Sequence, residues 1–171
     1  MPTLSRTSAT ANAASVNSSD LASRPPDREW HVAKQGLIAA LEWQISEFAS
    51  TTELACDSTI DLAPDCAAPE GTLAATAFHL FQEILNNVAR HARATLVRIR
   101  IRLMPGLLQM DVTDNGVGAA PASLEGSPEH GIAGMRRRTG QCGGSLHIVS
   151  VPGGGTHVCL RLPLPPHGAS A

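Results

Sequence analysis

Between residues 97 and 112 the chain alternates apolar and polar side chains twice over, and no other stretch limits the possible folds so strongly. Val97, Ile99, Ile101 and Leu103 alternate with Arg98, Arg100 and Arg102, Pro105-Gly106 supplies a turn, and Leu108, Met110 and Val112 resume the apolar period. Successive side chains of a strand point to opposite faces, so a period of two predicts a hairpin with one face buried and the other solvated. A sheet with one dry face needs a cover. One is predicted immediately upstream, over residues 72–91, where Ala77, Phe81, Ile84, Leu85 and Val88 recur at the 3.6-residue period and share one helix face.

The remaining elements are read from weaker signals. Residues 1–29 are rich in Ser, Ala, Thr, Asn and Pro, a composition that cannot offset the entropy of ordering, and are expected to be a disordered tail. From about Val32 the pattern changes: Ile38, Leu41, Ile45 and Phe48 recur at three- and four-residue intervals and predict a helix ending near Ser50. Residues 54–62 read as an edge strand. After the hairpin, the Gly-rich stretch 115–130 is expected to be a loop, followed by a short helix over 132–140. Two strands, 146–151 and 156–162, flank the turn Pro152-Gly153-Gly154-Gly155. The expected organisation is one domain over residues 30–165, with 166–171 as a C-terminal tail and no internal repeat.

Composition excludes several function classes. Lys+Arg 13 against Asp+Glu 15 gives a formal charge of −2, so there is no basic field to attract a phosphate backbone and no nucleic-acid partner is expected. No run approaches the roughly 18–20 apolar residues of a spanning helix, and the N-terminus has no signal-peptide core, so a soluble, cytoplasmic chain without a membrane segment is expected. Cys56, Cys66, Cys142 and Cys159 form no C-x-x-C pair, which indicates neither a zinc site nor a disulfide framework.

Four polar constellations remain. On the 72–91 helix, Glu83, Asn87, Arg90 and His91 fall within an arc of roughly 100°, a set suited to a hard magnesium ion and the phosphates it neutralises. Polar residues bordering an apolar stripe are more often just its solvated edge. Asp114-Asn115-Gly116-Val117-Gly118 ends a strand, where a carboxylate can accept from an exocyclic amine and glycine lets backbone approach a ligand; a plain Asp-Asn-Gly turn is the simpler alternative. His130-Gly131-Ile132-Ala133-Gly134-Met135 enters a helix whose first amides suit phosphate, although two glycines also serve loop mobility. Gly153-Gly154-Gly155-Thr156 is a hairpin turn that also offers a hydroxyl.

In this order and spacing the four elements resemble the Bergerat ATP-binding fold shared by histidine kinases, DNA gyrase B, MutL and the heat-shock chaperone ATPases. Phe81-Gln-Glu-Ile-Leu-Asn-Asn-Val-Ala-Arg-His-Ala92 is similar to the N box of sensor kinases that partner LuxR-type response regulators. Asp114-Asn-Gly-Val-Gly118 resembles their first glycine box, Gly131-Ile-Ala-Gly-Met135 the second and Gly153-Gly-Gly-Thr156 the last. The resemblance runs over about residues 36–165, beginning with Gly36-Leu-Ile-Ala-Ala-Leu-Glu-Trp43. It implies an α/β two-layer sandwich, a mixed and mostly antiparallel sheet with about three helices on one face, and ATP between helices and sheet. By the same resemblance Asn87 binds Mg2+ with Glu83 in support, these two being the catalytic pair, while Arg90 and His91 approach the phosphates. Asp114 binds the adenine amino group, Gly116, Gly118, Gly131 and Gly134 frame a mobile lid, and Gly155 and Thr156 belong to the ATP site, Thr156 beneath the adenine.

Other nucleotide folds are excluded by the residues themselves. The single lysine, Lys34, is followed by Gln35, so there is no G-x-x-x-x-G-K-[ST] loop, and neither glycine cluster continues as G-x-G-x-x-G. A G-x-S-x-G elbow is also absent.

The implied activity is ATP-dependent protein-histidine kinase, with ATP and Mg2+ as cofactors. The acceptor histidine of full sensor kinases is followed by an acid, whereas the histidines here precede Val32, Leu80, Ala92, Gly131, Ile148, Val158 and Gly168. The acceptor is therefore expected on a separate histidine-bearing dimerisation domain or protein, and a LuxR-type response regulator is the expected downstream partner. Two rivals stand beside this reading: a non-catalytic, ATP-dependent regulatory binding module, and a serine kinase of the anti-sigma-factor type. His147 and His157, on adjacent predicted strands, lack nearby Cys or carboxylate partners and are expected to be a surface pair rather than a metal site. Arg136, Arg137 and Arg138 suit either a phosphate or partner contact or a solvated helix face.

Overall fold

The computed structural model describes residues 27–64, 66–118 and 131–165. Helix α1 (Asp27–Thr51) starts inside the stretch expected to be tail, and is broken at Gly36, where φ 79° and ψ 163° leave the helical region. Only glycine reaches that φ without strain. Beyond the break, Leu37, Ala40, Leu41, Ile45 and Phe48 form the buried stripe that the spacing predicts.

Strand β1 (Ala55–Leu62) lies at one edge of a five-stranded sheet of order β1-β2-β3-β5-β4. It pairs in parallel with β2 (Leu96–Met104), because α2 (Gly71–Asn87) crosses over between them. The predicted hairpin joins β2 to β3 (Leu107–Asp114), and β3 pairs antiparallel with β5 (Thr156–Pro163), which in turn pairs antiparallel with β4 (Ser145–Ser150). Helix α3 (Gly131–Gln141) packs on β4 and α2. The architecture is thus the expected one: among the described residues, three helices on a mixed, mostly antiparallel sheet. Of the loop expected at 115–130, residues 119–130 lie outside the described residues, as do 1–26 and 166–171.

The core sits between helices and sheet. Val97, Ile99, Ile101 and Leu103 of β2, with Leu108, Met110 and Val112 of β3, meet Phe78, Phe81, Ile84 and Leu85 of α2, all essentially without solvent contact. Burial of each such side chain stabilises the fold by about 1.5–3 kcal/mol. Within the helical layer, the Nε2 of buried Gln82 donates to Gln44 Oε1 of α1 at 2.7 Å.

The helix expected over 72–91 is not a single α-helix. After Asn87 the backbone widens into a π turn, Val88–Ala92, closed by Arg93 in the left-handed region at φ 48°. Among the described residues no helix is long and apolar enough to cross a membrane. All four cysteines are free.

Candidate functional site

Strand register sets the floor of the site. Ser150 pairs with Thr156, Thr156 with Asp114 and Asp114 with Val97, so one row crosses four strands where the apolar inner face turns polar. Asp114 is 5% exposed. Its Oδ1 accepts the Gly116 N–H at 2.8 Å, and among the described residues its Oδ2 has no partner. Beside it the Ser150 and Thr156 hydroxyls share a hydrogen bond of 2.8 Å. A buried carboxylate oxygen left open is costly unless a donor meets it, which makes this floor suited to an exocyclic amine.

The backbone around Asp114 is held from both sides. Asn115 does not face the floor: its Oδ1 accepts from the Thr95 and Leu96 amides at 2.9 Å each, and its Nδ2 donates to Thr95 Oγ1, also at 2.9 Å. Two glycines permit the close approach of neighbouring backbone. A Cβ on Gly155, whose φ is 77°, would stand 2.1 Å from the Asp114 carbonyl oxygen, and one on Gly116 would stand 2.0 Å from the Ala92 carbonyl oxygen. That same Ala92 oxygen accepts the Val117 N–H at 2.7 Å, and the Val117 carbonyl accepts from Gly153 at 2.6 Å. The π turn, the residues through Gly118 and the 152–155 turn are thereby joined.

Glu83 and Asn87 stand one turn apart on α2, both half-buried. Arg90 and His91 lie beyond Asn87 in the π turn and not on the straight α-helix from which the common arc is expected. Those two are exposed and make no hydrogen bond or ion pair with another described residue. Glu83 is engaged by Arg138 of α3, whose Nη2 donates to its Oε2 in an ion pair. Residue chemistry left Arg138 undistinguished from its neighbours. A usable signal was its position three residues after Met135, which is buried and marks the inward side of α3. Gly131, at φ 71°, opens α3 and Gly134 is buried one turn later. The structure therefore gathers Asp114, Gly116, Gly118, Gly155 and Thr156 at the sheet end, and links Glu83 to the helix carrying Gly131 and Gly134.

Among the described residues no group of three His, Cys, Asp or Glu side chains is placed to hold a metal ion. Glu83 and Asn87 offer two oxygen donors, a set that fits Mg2+, which keeps several waters and takes its remaining ligands from phosphate. On the outer face of the sheet the pairing expected of His147 and His157 does not form: His147 is opposite Cys159, and His157 Nε2 lies 3.3 Å from Asp111 Oδ1. A cysteine and a carboxylate are thus near these histidines after all. Asp111 is already committed, its Oδ2 accepting from Arg102 at 2.9 Å and Gln109 at 2.8 Å. Burial pushes the Asp111 carboxyl up, but hydrogen bonds from Arg102, Gln109, Cys159 and His157 outweigh it and hold the carboxyl below the ordinary carboxylate range. Burial, then the adjacent Asp111, raises the Cys159 thiol.

Known proteins resemble the chain in both sequence and fold. The chain is 37% identical over 90 residues to the sensor histidine kinase NarS of Mycobacterium tuberculosis, an alignment covering 51% of this chain and 21% of NarS. It is 33% identical over 89 residues to the sensor histidine kinase LiaS of Bacillus subtilis (52% and 24%), and 29% identical over 136 residues to the histidine-protein kinase/phosphatase UhpB of Salmonella typhimurium (80% and 23%). It thus spans under a quarter of these relatives' length. Among solved structures, the histidine kinase domain of the Erythrobacter litoralis blue-light activated histidine kinase superposes with a TM-score of 0.60 at 26% identity, over 75% of this chain and 61% of that one. The ATP-binding domain of PrrB from Mycobacterium tuberculosis shares the fold, with a TM-score of 0.56 at 23% identity over 73% of this chain and 91% of that one. Residues 73–166 match the family described as histidine kinase-, DNA gyrase B- and HSP90-like ATPase, and the chain belongs to that family.

Proposed function

We propose that this chain is the ATP-binding catalytic domain of a two-component sensor protein-histidine kinase. It would act in the cytoplasm, taking Mg-ATP and delivering the γ-phosphoryl group to a histidine on a dimerisation domain, with a LuxR-type response regulator as the next acceptor. The observation that carries the reading is Asp114, a buried carboxylate with one oxygen open, in register with Thr156.

In this reading Asp114 Oδ2 accepts from the adenine amino group, and the fixed Gly116 amide keeps the carboxylate aimed. Thr156 lies beneath the base, with Gly155 alongside. Asn87 and Glu83 hold the metal side of the site, Arg90 and His91 meet the phosphates from the exposed π turn, and Gly116, Gly118, Gly131 and Gly134 border the segment over the nucleotide. Magnesium, when bound, offsets the charge that develops on the transferring phosphoryl group. The chain's contribution is position: the acceptor nitrogen must meet the γ-phosphorus in line as ADP leaves.

Calorimetry with Mg-ATP tests the site. Asp114→Ala should weaken binding by about 1.5–3 kcal/mol, the worth of a hydrogen bond to a charged group. Unchanged affinity removes Asp114 from the adenine site. Incubation with γ-labelled ATP and a dimerising domain bearing a histidine followed by an acid tests the reaction. Acid-labile label on that histidine is the expected result, acid-stable phosphoserine on a partner favours the anti-sigma-type kinase, and binding without transfer favours the regulatory module.

A further inference from the structure

Helix α3 carries three arginines in succession, and three consecutive helical residues, about 100° apart, cannot share one environment. Arg136 and Arg137 are exposed, whereas Arg138 is half-buried and paired with Glu83. Buried Met135 and buried Thr139, whose Oγ1 donates to the Met135 carbonyl at 2.8 Å, seat the helix so that Arg138 faces α2. Glu83 in turn stands one turn before Asn87. If Glu83 supports a metal, as proposed above, a guanidinium and a divalent cation have claims on the same carboxylate.

We propose that Arg138 is a positioning residue that competes with the divalent cation for Glu83, so that the seating of α3 and metal occupancy at α2 are coupled. The inference rests on the proposed role of Glu83. Its physical basis is charge. A guanidinium on Oε2 neutralises the field that would attract the ion, and by linkage the ion must weaken the Arg138–Glu83 pair by the factor by which Arg138 weakens ion binding. Arg is suited to this because its planar fork holds a carboxylate in a fixed orientation while its charge is permanent.

The test is the magnesium concentration that gives half-maximal ATP binding to the full chain, set beside ATP affinity in chelator. Arg138→Met, which keeps the apolar stem and removes the charge, should lower that midpoint by about fivefold or more. Arg138→Lys should fall between the two, and in a Glu83→Gln background Arg138→Met should leave the midpoint where it was. A purely structural Arg138 would change affinity at saturating magnesium or the melting temperature without moving the midpoint. An unmoved or raised midpoint in Arg138→Met overturns the proposal. Where Arg138→Met does not fold, an Arg138→Lys midpoint at or above wild type does the same. Magnesium-dependent binding that ignores Arg138 defeats this inference and leaves the proposed function standing, whereas a wild-type chain that binds no ATP defeats both.

Discussion

The two faces of strand β2 are built from neighbouring residues and held by different physics. Towards the helices, Val97, Ile99, Ile101 and Leu103 are buried almost completely; towards solvent, Arg98, Arg100 and Arg102 are exposed. On the outer face Arg102 reaches Asp111 at 2.9 Å, while Arg98 and Asp57 stand 3.9 Å apart with both side chains more than 60% exposed. An apolar side chain in a close-packed core contributes several times what a screened surface ion pair contributes. The fold therefore resides in one face. The outer face tolerates polar exchange, and the candidate site lies at the end of the inner face, where Asp114 replaces the apolar side chain that the alternation would supply.

The sharpest break of this comparison would be equal effects from adjacent residues. Ile101→Ala should lower the unfolding free energy by about 2–5 kcal/mol in chemical denaturation, through lost burial and the cavity left behind. Arg102→Ala should cost no more than about 1 kcal/mol. Next in size, Gly155→Ala forces a left-handed residue to carry a Cβ against the Asp114 carbonyl. That conformation alone costs about 1–2 kcal/mol, and both the melting temperature and ATP affinity should fall.

A smaller effect separates the faces by pH. The folded Asp111 carboxyl is held below its unfolded value, so the folded state binds its proton less tightly than the unfolded chain does. The stability it contributes is present above the unfolded carboxylate range and is lost as pH falls through the folded value. Asp111→Asn should lower stability at neutral pH by about 1 kcal/mol and flatten the acid limb of the melting-temperature profile. An acid limb as steep as wild type would assign acid sensitivity elsewhere. The smallest effect is Arg98→Ala, for which thermal unfolding should show a change within about 0.5 kcal/mol.

The sheet was legible because a period of two has one structural meaning: Val97 to Leu103 announces its two faces, and Pro105-Gly106 marks where the strand must reverse. The edge position of β1 was also legible. The π turn was not. Val88 and Ala92 are both buried and four apart, a spacing that reads as ordinary α-helix, and the feature that accompanies the wider turn is a tertiary contact, the Ala92 carbonyl accepting from Val117. Gly36 was visible as a residue but not as a helix break, because isolated glycine is tolerated in helices and only φ separates the two cases. At the candidate site, Asp114 stood out because a strand of apolar inner residues ends on an acid. The partner of Glu83 did not, since three arginines in a row differ only in azimuth.

The π turn also makes chain length a tuned quantity at one place. The π turn already absorbs one residue more than an α turn holds, so a further residue inserted in Val88–Ala92 would turn the downstream chain by about 100° about the axis. The Ala92 carbonyl would then leave the Val117 N–H and the backbone of Gly116 that packs against it. A one-residue insertion there changes no side chain of the sheet floor, yet it detaches the first glycine element from the helix end. The connection between β1 and α2, by contrast, carries none of the candidate site residues. Along α2 the site is metered by residue count as much as by residue identity.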